Sequence, residues 1–161
     1  MCLAPEAHAL RLGVPAESVL AEAILTNRPV APLGFTVKGT TGAEVLFIGR
    51  TRSEQHLTHG TLQHLAYEAH QHLARNTIEI LLKEAFERWP LHAARIQHAT
   101  GIVRPGEASV CIEVLAAHRA EGFEACRWLI DTLKKRVPIW KKEVWSDGTT
   151  WAEGIPIQAD R

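Results

Sequence analysis

The sequence predicts an α+β fold, in which a mixed, largely antiparallel sheet has helices packed on it. Two observations lead to this class. Segments with alternating apolar residues occur in pairs joined by short turns, which is typical of antiparallel hairpins. Longer segments with apolar residues at helical spacing lie between those pairs, so each helix can cover the sheet that its neighbours form.

The first forty residues contain signals for a strand, a helix and a loop. Ala9–Gly13 predicts a short strand. Val14–Asn27 predicts a helix, because Pro15 is tolerated in a first helical turn and Pro29 cannot continue a helix. Val30–Gly42 is rich in proline and glycine and therefore predicts a loop.

The middle of the chain alternates between strands and helix. Ala43–Arg50 is mostly apolar and predicts a buried strand. Thr51–Gly60 is polar and predicts a loop, whereas Thr61–Glu68 alternates and predicts a strand with one face in the core. Ala69–Trp89 predicts a helix that Pro90 ends. Its apolar residues share one arc of a helical wheel: Ala74, Ile78, Leu81, Leu82, Ala85 and Trp89.

The last third predicts a hairpin, a helix and two strands. Ala94–Val103 and Ala108–Ala117 are strands joined by a Pro-Gly turn. His118–Glu143 is a helix, a break at Pro138 and a strand, and Thr150–Glu153 is a last strand that pairs back. The predicted core stripe of this helix is Phe123, Cys126, Ile130, Leu133 and Val137.

Length and composition describe one ordinary globular domain. The 161 residues are enough to bury a sizeable core, and 46% hydrophobic with 22% charged residues is typical of soluble proteins. A formal net charge of zero argues against bulk affinity for nucleic acids or membranes. From the sequence we expect no membrane-spanning segment and no signal peptide. Three cysteines without a C-x-x-C pair predict a reducing, cytoplasmic setting.

Positive charge is nevertheless concentrated in His118–Glu143, where seven residues are lysine or arginine. This concentration points to an anionic ligand bound locally. On a helical wheel, Lys134 lies at the margin of the apolar stripe, whereas Lys135 points about 100° further toward water. A lysine at an apolar margin loses part of its hydration and is better suited to act as an acid, base or nucleophile. The simpler alternative is that Lys134 extends from the margin into solvent.

A second lysine, Lys141, begins the strand after Pro138. The break at the proline can fold this strand back beside the helix end and bring Lys141 near Lys134. Two ammonium groups held close together would attract a doubly charged anion. The alternative is that Lys141 and Lys142 are charges on an edge strand that prevent aggregation.

Other basic residues lie where strands end. His118 and Arg119 stand at the start of a helix, where free backbone N–H groups and an arginine favour phosphate or carboxylate. His118 could instead cap the helix or be a satisfied buried histidine. Arg50 and Arg52 leave a strand end and enter a polar loop, which suits a ligand site on a rigid scaffold. Solvated loop arginines are the default alternative.

Metal binding and nucleophilic catalysis have weak support. Five of the nine histidines fall between His56 and His72, but His70 and His72 face opposite ways on a helix. No cysteine or paired carboxylate completes a ligand set. The sequence has no phosphate-binding loop, dinucleotide fingerprint or nucleophile elbow. Cys111 and Cys126 lie on core-type elements without an evident catalytic base.

Several motifs resemble the catalytic (large) subunit family of molybdopterin synthase. They are G-A-E-V-L-F-I-G-R-T-R at residues 42–52, L-x-Y-E-A-H at 65–70, P-G-E-A-S-V at 105–110, A-H-R at 117–119, F-E-A-C-R at 123–127, I-D-x-L-K at 130–134, V-P-I-W-K-K-E at 137–143 and D-G-x-x-W-x-E at 147–153. The resemblance covers residues 42–154, and it is most specific over residues 118–143.

The resemblance implies a hammerhead-like α/β core with a small extra sheet. It implies one domain over residues 1–161, in which residues 1–41 match loosely and residues 155–161 form a tail. It also implies a sulfurtransferase. Such an enzyme takes sulfur from the C-terminal Gly-Gly thiocarboxylate of a small ubiquitin-like partner. It passes that sulfur to cyclic pyranopterin monophosphate, and two transfers form the dithiolene of molybdopterin. The expected assembly is a heterotetramer around a homodimer, with no metal or redox cofactor.

The resemblance also assigns roles to five residues. Arg52 is expected to hold the phosphate or the pterin, and His118 and Arg119 are expected to belong to the anion pocket. Lys134 is expected to meet the C-terminus of the partner. Lys141 is expected to act in acid–base chemistry or in binding the intermediate.

Four positions depart from the family pattern. Thr51 stands where valine is usual, His70 where tyrosine is usual, and Leu73 where methionine is usual. Ala99 stands where arginine is usual, which puts one anion contact in doubt.

Two other functions stay open from the sequence. One is a non-enzymatic α+β module that binds phosphate or RNA through a basic face, which the neutral net charge weakens. The other is an inactive scaffold for the ubiquitin-like partner, which the five intact site residues weaken.

Overall fold

The computed structural model describes residues 8–10, 20–147 and 149–151 of the chain. This part of the chain contains ten strands and two helices. In chain order they are β1 (His8–Leu10), β2 (Leu20–Thr26), β3 (Ala43–Arg50), β4 (Gln55–His56), β5 (Gly60–Ala69), α1 (Gln71–Arg88), β6 (Leu91–Ala99), β7 (Ile102–Val103), β8 (Ala108–Ala116), α2 (Arg119–Arg136), β9 (Ile139–Trp145) and β10 (Thr149–Trp151). The strands form two sheets, and the predicted α+β class is confirmed.

The larger sheet, which we call the central sheet, has the strand order β1-β2-β6-β8-β3. β2 pairs with β6 in parallel and the other pairings are antiparallel, so the sheet is mixed and largely antiparallel as predicted. β3 has the predicted bounds, but the prediction of a buried strand is wrong. β3 lies at the edge of the sheet, where Val45 is buried and Leu46 is 47% exposed.

Both helices pack on one face of the central sheet and share a core with the inward residues of β2, β6 and β8. His70 begins α1, because its side chain accepts a hydrogen bond from the backbone N–H of Leu73 at 3.3 Å. The predicted arc of α1 is confirmed, and its buried members are Ala74, Ile78, Leu81, Leu82 and Ala85. The predicted stripe of α2 is confirmed at Cys126, Ile130, Leu133 and Val137.

Phe123 does not belong to that stripe, since it is 62% exposed. The neighbouring glycine explains why. A Cβ atom on Gly122 would lie 2.9 Å from Cγ2 of Val45. α2 therefore approaches β3 over the glycine, and the large side chain beside it turns outward.

The predicted helix over Val14–Asn27 is wrong where the structure describes it. Residues 20–26 form β2, and residues 14–19 lie outside the described residues. Four residues of this strand are buried: Ala21, Ala23, Ile24 and Leu25. An apolar run of this length is compatible with the periodicity of a helix or of a buried strand. Pairing with β1 on one side and β6 on the other stabilises the strand.

The opposite face of the central sheet is covered by the loop over residues 30–42. Arg95 on β6 lies between Glu22 on β2 and Glu113 on β8, and the three are direct neighbours across the strands. Arg95 donates to Glu22 through Nε and lies 3.0 Å from Glu113 through Nη1. Glu113 also accepts from the N–H of Gly34 at 2.7 Å, and Arg95 donates to the Gly34 carbonyl at 2.9 Å. Buried charges thus attach the loop to the sheet.

The second sheet, which we call the small sheet, has β9 between β10 and β5, with β4 and β7 also paired to β5. The strand predicted at Thr61–Glu68 is confirmed as β5. A bulge between Leu62 and His64 interrupts the predicted alternation. As a result, Leu62 and Leu65 are both buried against Trp145.

The predicted strand Ala94–Val103 is divided between the two sheets. β6 ends at Ala99 in the central sheet, and β7 pairs with β5 in the small sheet. A Cβ atom on Gly101 would lie 2.5 Å from the carbonyl oxygen of Asn27, so the chain changes sheets at a point where glycine is required. The hairpin of β6 with β8 is confirmed.

The strands predicted near both ends of the chain are partly described. Residues 9–10 of the predicted Ala9–Gly13 belong to β1, and residues 11–13 lie outside the described residues. Residues 150–151 of the predicted Thr150–Glu153 belong to β10, which pairs antiparallel with β9 as predicted. Residues 152–153 lie outside the described residues. Neither of the two described helices is long and apolar enough to cross a membrane.

Arg95→Met removes the cation and leaves the carboxylates of Glu22 and Glu113 buried without a counter-charge. Breaking a buried ion pair in this way costs about 3–5 kcal/mol, and we expect a loss of that size in the free energy of unfolding, measured with urea. Arg127→Met is the control, because Arg127 is 86% exposed and pairs with Asp131 at the surface. We expect the control to change stability by less than about 0.5 kcal/mol. Equal losses in the two variants would contradict the structural role of Arg95.

Candidate active site

A cavity of about 740 Å³ lies between the central sheet, the end of α2 and the small sheet. Its wall combines the end of β3 and the following loop with parts of β5, β6, β8, α2 and β9. The charged side chains of the wall are Arg50, Arg52, Lys134, Lys141, Glu54 and Glu143. Four cations thus face two carboxylates, and the cavity is positive although the chain as a whole is neutral.

The turn from α2 into β9 brings the two candidate lysines to this cavity. α2 ends at Arg136, and Pro138 cannot continue it. β9 then runs back through the small sheet, where Lys141 stands opposite Tyr67 on β5. Lys134 in the last turn of α2 and Lys141 in β9 both line the cavity.

The last turn of α2 carries Lys134, Lys135 and Arg136, and the negative end of the helix dipole favours cations there. Their surroundings differ. Arg136 donates two hydrogen bonds to Glu84 of α1, at 2.8 and 2.9 Å, and this contact lowers the pKa of Glu84. Lys135 is exposed and does not line the cavity. Lys134 does line it, but its side chain is exposed, so the expected partial desolvation is absent from the single chain.

Ion pairs hold two of the four cations at the cavity. Arg52 lies 2.8 Å from Glu54, and Lys141 lies 3.0 Å from Glu143. Lys134 has no hydrogen-bond or ion-pair partner among the described residues. An ammonium group without a protein partner can bind an incoming anion without first breaking a contact.

Lys141 does not protect a sheet edge. β9 has β5 on one side and β10 on the other, so the alternative interpretation of Lys141 and Lys142 as edge charges does not apply. Lys141 and Glu143 are two residues apart and lie on the same side of the strand, toward the cavity.

Arg52 follows β3 in a loop whose base is held by the Pro-Gly turn before β8. The N–H of Thr51 donates to the carbonyl of Glu107 at 2.9 Å, and the N–H of Gly106 donates to the carbonyl of Thr51 at 2.8 Å. Gly106 has a φ of 88°, which glycine adopts without strain. The Arg52 side chain itself is 83% exposed beyond this fixed base.

His118 and Arg119 do not line the cavity. They lie at the start of α2 with exposed side chains, and His118 makes no side-chain capping bond. Lys134 lies fifteen residues after Arg119 on the same helix, which is about 22 Å along its axis. Within one chain, the structure therefore separates this pair from the other three predicted site residues.

His98 and Tyr67 also line the cavity, although no sequence motif singled them out for a function. His98 is 7% exposed near the end of β6, and its ring meets the ring of Tyr67 edge-on at 5.2 Å between centroids. Burial lowers the pKa of His98, although its hydrogen bond to the Ala99 carbonyl opposes the shift. Strand alternation was the available signal, because it places His98 on the same side of β6 as Ile96, which faces the helices.

The described cysteines and histidines form no second reactive centre. Cys111 and Cys126 are buried, and burial raises the pKa of each thiol to about 11, so little thiolate is present at neutral pH. His56 and His59 pack ring against ring at 4.7 Å. In the described part of the chain, no group of three or more histidine, cysteine, aspartate or glutamate residues is arranged so that it could hold a metal ion.

Comparison with known proteins identifies the family. The model of the MoaE protein family matches residues 25–136, which is more than half of the chain. The chain belongs to the MoaE family. A molybdopterin synthase catalytic subunit of Pyrococcus abyssi is 41% identical over 129 residues, which are 78% of this chain and 86% of that relative. One of Caulobacter vibrioides is 39% identical over 143 residues, which are 85% and 91% of the two chains.

A solved structure of a MoaE family relative agrees with the fold. Molybdopterin synthase from Staphylococcus aureus superposes with a TM-score of 0.74 at 30% sequence identity. The match covers 80% of this chain and 95% of that one.

All four residues that differ from the usual residue of the MoaE family lie in the described part of the chain. Ala99 is fully buried at the end of β6 and does not line the cavity. Its methyl group cannot contact an anion. Thr51 is 4% exposed and lines the cavity, and its hydroxyl has no hydrogen-bond partner among the described residues. His70 and Leu73 form the N-terminal capping contact of α1.

Thr51→Val is expected to stabilise the protein. The valine keeps the shape of the side chain and replaces a buried hydroxyl that lacks a partner, which costs about 1–3 kcal/mol. We expect the free energy of unfolding, measured with urea, to rise by about 1 kcal/mol. Thr77→Val is the control, because the Thr77 hydroxyl donates to the Leu73 carbonyl at 2.8 Å and its loss should not stabilise. A loss of stability in Thr51→Val would contradict the unpaired state of that hydroxyl.

Proposed function

We propose that this chain is the catalytic subunit of a molybdopterin synthase. It transfers sulfur from the C-terminal thiocarboxylate of a small ubiquitin-like protein to cyclic pyranopterin monophosphate, and two transfers form the dithiolene of molybdopterin. The observation that carries the proposal is the positive cavity at the end of α2, where Lys134, Lys141 and Arg52 meet in a member of the MoaE family. Its relatives named molybdopterin synthase catalytic subunit support the enzyme rather than a binding module or an inactive scaffold.

The charge of the cavity matches the two reactants. The cyclic phosphate and the thiocarboxylate are both anions, and bringing them together in a neutral or acidic site would cost free energy. Cations that are already in place lower this cost and stabilise charge that develops during the reaction. Arg52 is suited to the phosphate, because a guanidinium group can donate two parallel hydrogen bonds to it.

The two lysines fit different steps of one transfer. The thiocarboxylate sulfur forms a bond to a carbon of the substrate while the bond from that carbon to an oxygen of the cyclic phosphate breaks. Water then cleaves the resulting thioester at its acyl carbon, which leaves the sulfur on the substrate as a thiolate and a carboxylate on the carrier. Lys134 is exposed and unpaired, so it can meet the C-terminus of the carrier as that tail enters. Lys141 is paired with Glu143 deeper in the wall and is suited to protonate the oxygen released when the cyclic phosphate opens.

The expected assembly is a homodimer at the centre of a heterotetramer, with one small ubiquitin-like subunit at each end. The position of His118 and Arg119 supports a dimeric site. At about 22 Å from Lys134 along α2, they can bind the substrate anion only in the cavity of a second copy.

We also place the protein in the cytoplasm, because free Cys111 and Cys126 fit a reducing compartment.

Reconstitution tests the function directly. The purified chain is mixed with a thiocarboxylated ubiquitin-like partner and cyclic pyranopterin monophosphate, and the dithiolene product is measured. Product that depends on all three components supports the proposal. Absence of product, although the partner and the substrate both bind, would refute the assignment as a sulfurtransferase.

Lys134→Ala is expected to reduce sulfur transfer about 100-fold or more, the size typical for loss of a positioned catalytic group. Because Lys134 is exposed, the melting temperature of the Lys134→Ala variant should match that of the unaltered protein. Lys135→Ala is the matched control, since Lys135 is also exposed in the same turn but does not line the cavity. Turnover in the reconstituted assay should stay near normal in the control. Near-normal turnover in Lys134→Ala would rule out its assigned role.

A further inference from the structure

His98 is a buried residue at the cavity that the mechanism above does not use. Its Nδ1 atom lies 2.8 Å from the carbonyl oxygen of Ala99. A carbonyl oxygen can only accept a hydrogen bond, so Nδ1 carries the hydrogen and donates. Since burial also lowers the pKa of His98, the ring is neutral at pH 7. The other ring nitrogen, Nε2, therefore has a free lone pair.

The surroundings of the ring fix this arrangement. Tyr67 packs edge-on against His98, and the Nδ1 bond to Ala99 fixes the orientation of the ring. Among the described residues, none donates a hydrogen bond to Nε2, although His98 lines the cavity. Nε2 does not belong to the buried unpaired atoms of the described residues, so it is accessible to a molecule in the cavity. Nε2 is therefore an available position for a group of the ligand.

The other polar groups of the cavity have different hydrogen-bonding roles. Arg52, Lys134 and Lys141 can donate but cannot accept. Both carboxylates of the wall are held in ion pairs. The hydroxyl groups of Tyr67, Thr51 and Ser109 can turn to donate or to accept. His98 alone among these lining groups combines a neutral charge with a fixed acceptor.

We propose that Nε2 of His98 determines specificity by accepting a hydrogen bond from an N–H group of the heterocyclic ring of the substrate. This inference rests on the proposed function and deepens it. The cations bind the phosphate, and His98 recognises the ring. A pterin carries N–H groups at its edge, whereas a phosphate diester has none. A ring without such a donor would leave Nε2 unpaired in the complex, and sites of this kind discriminate strongly against such analogues.

Two substitutions of His98 by an amide residue distinguish the contribution of Nδ1 from that of Nε2. In His98→Asn, the amide N–H can replace Nδ1 and keep the bond to Ala99, but no atom replaces Nε2. In His98→Gln, the longer side chain can place its carbonyl oxygen near the position of Nε2. We expect His98→Asn to raise the KM for the cyclic pterin about tenfold with kcat changed less than about threefold. His98→Gln should restore most of the affinity.

Inorganic phosphate and a second histidine provide the controls. Phosphate should inhibit the His98→Asn variant as well as it inhibits the unaltered protein, because the cations that bind it remain. His72→Asn should leave the KM unchanged, since His72 is exposed on α1 away from the cavity. The proposal would be overturned if His98→Asn had the same KM as the unaltered protein. It would also be overturned if His98→Gln raised the KM as much as His98→Asn does.

A measurement on the unaltered protein removes any dependence on how the variants fold. With 15N-labelled histidine, the Nε2 signal of His98 should start at the position of an unprotonated nitrogen and move when the cyclic pterin binds. Inorganic phosphate alone should leave it in place. Binding of the pterin without movement of this signal overturns the role of His98, whatever the assay of sulfur transfer shows. Movement of the signal without turnover would support the proposed role of His98 in binding the ring. It would contradict the proposed sulfurtransferase activity of the chain.

Discussion

The row of Glu22, Arg95 and Glu113 is the constraint on which the central sheet depends. The three side chains are neighbours across β2, β6 and β8, and they lie on the face covered by the loop over residues 30–42. A shift of one residue in either pairing would turn these charges into the apolar core beneath the helices. The buried ion pairs therefore favour a single register, and that register assigns the opposite face to α1 and α2.

The position of α2 on that face leads to the cavity. α2 approaches β3 closely over Gly122, and its last turn lies where the two sheets meet. Three cations follow one another in this turn and have three different environments. Arg136 connects α2 to Glu84 of α1, Lys135 points to solvent, and Lys134 reaches the cavity. One basic run thus contributes both to helix packing and to the candidate site.

The residues of the cavity fall into two chemical groups. Its cations suit the anionic parts of the two proposed reactants, and their ion pairs with Glu54 and Glu143 limit the repulsion between them. His98 and Tyr67 form a neutral wall that can recognise a ring. With this division, the proposed binding of anions at one place is compatible with a chain that has no net charge and no general affinity for polyanions.

The sequence by itself determined the elements with long, regular patterns, the basic run at the end of α2, and the family. Local patterns could not decide the strand Leu20–Thr26, the edge position of β3, or the outward position of Phe123, because each depends on which segment lies alongside. The same holds for the site. Lys134 and Lys141 could be predicted together because one proline turn joins them, whereas His98 and the buried row around Arg95 depend on contacts between distant strands. Only the tertiary structure decides such contacts, since lateral pairing is set by the packing of the whole sheet and not by the residues next in the chain.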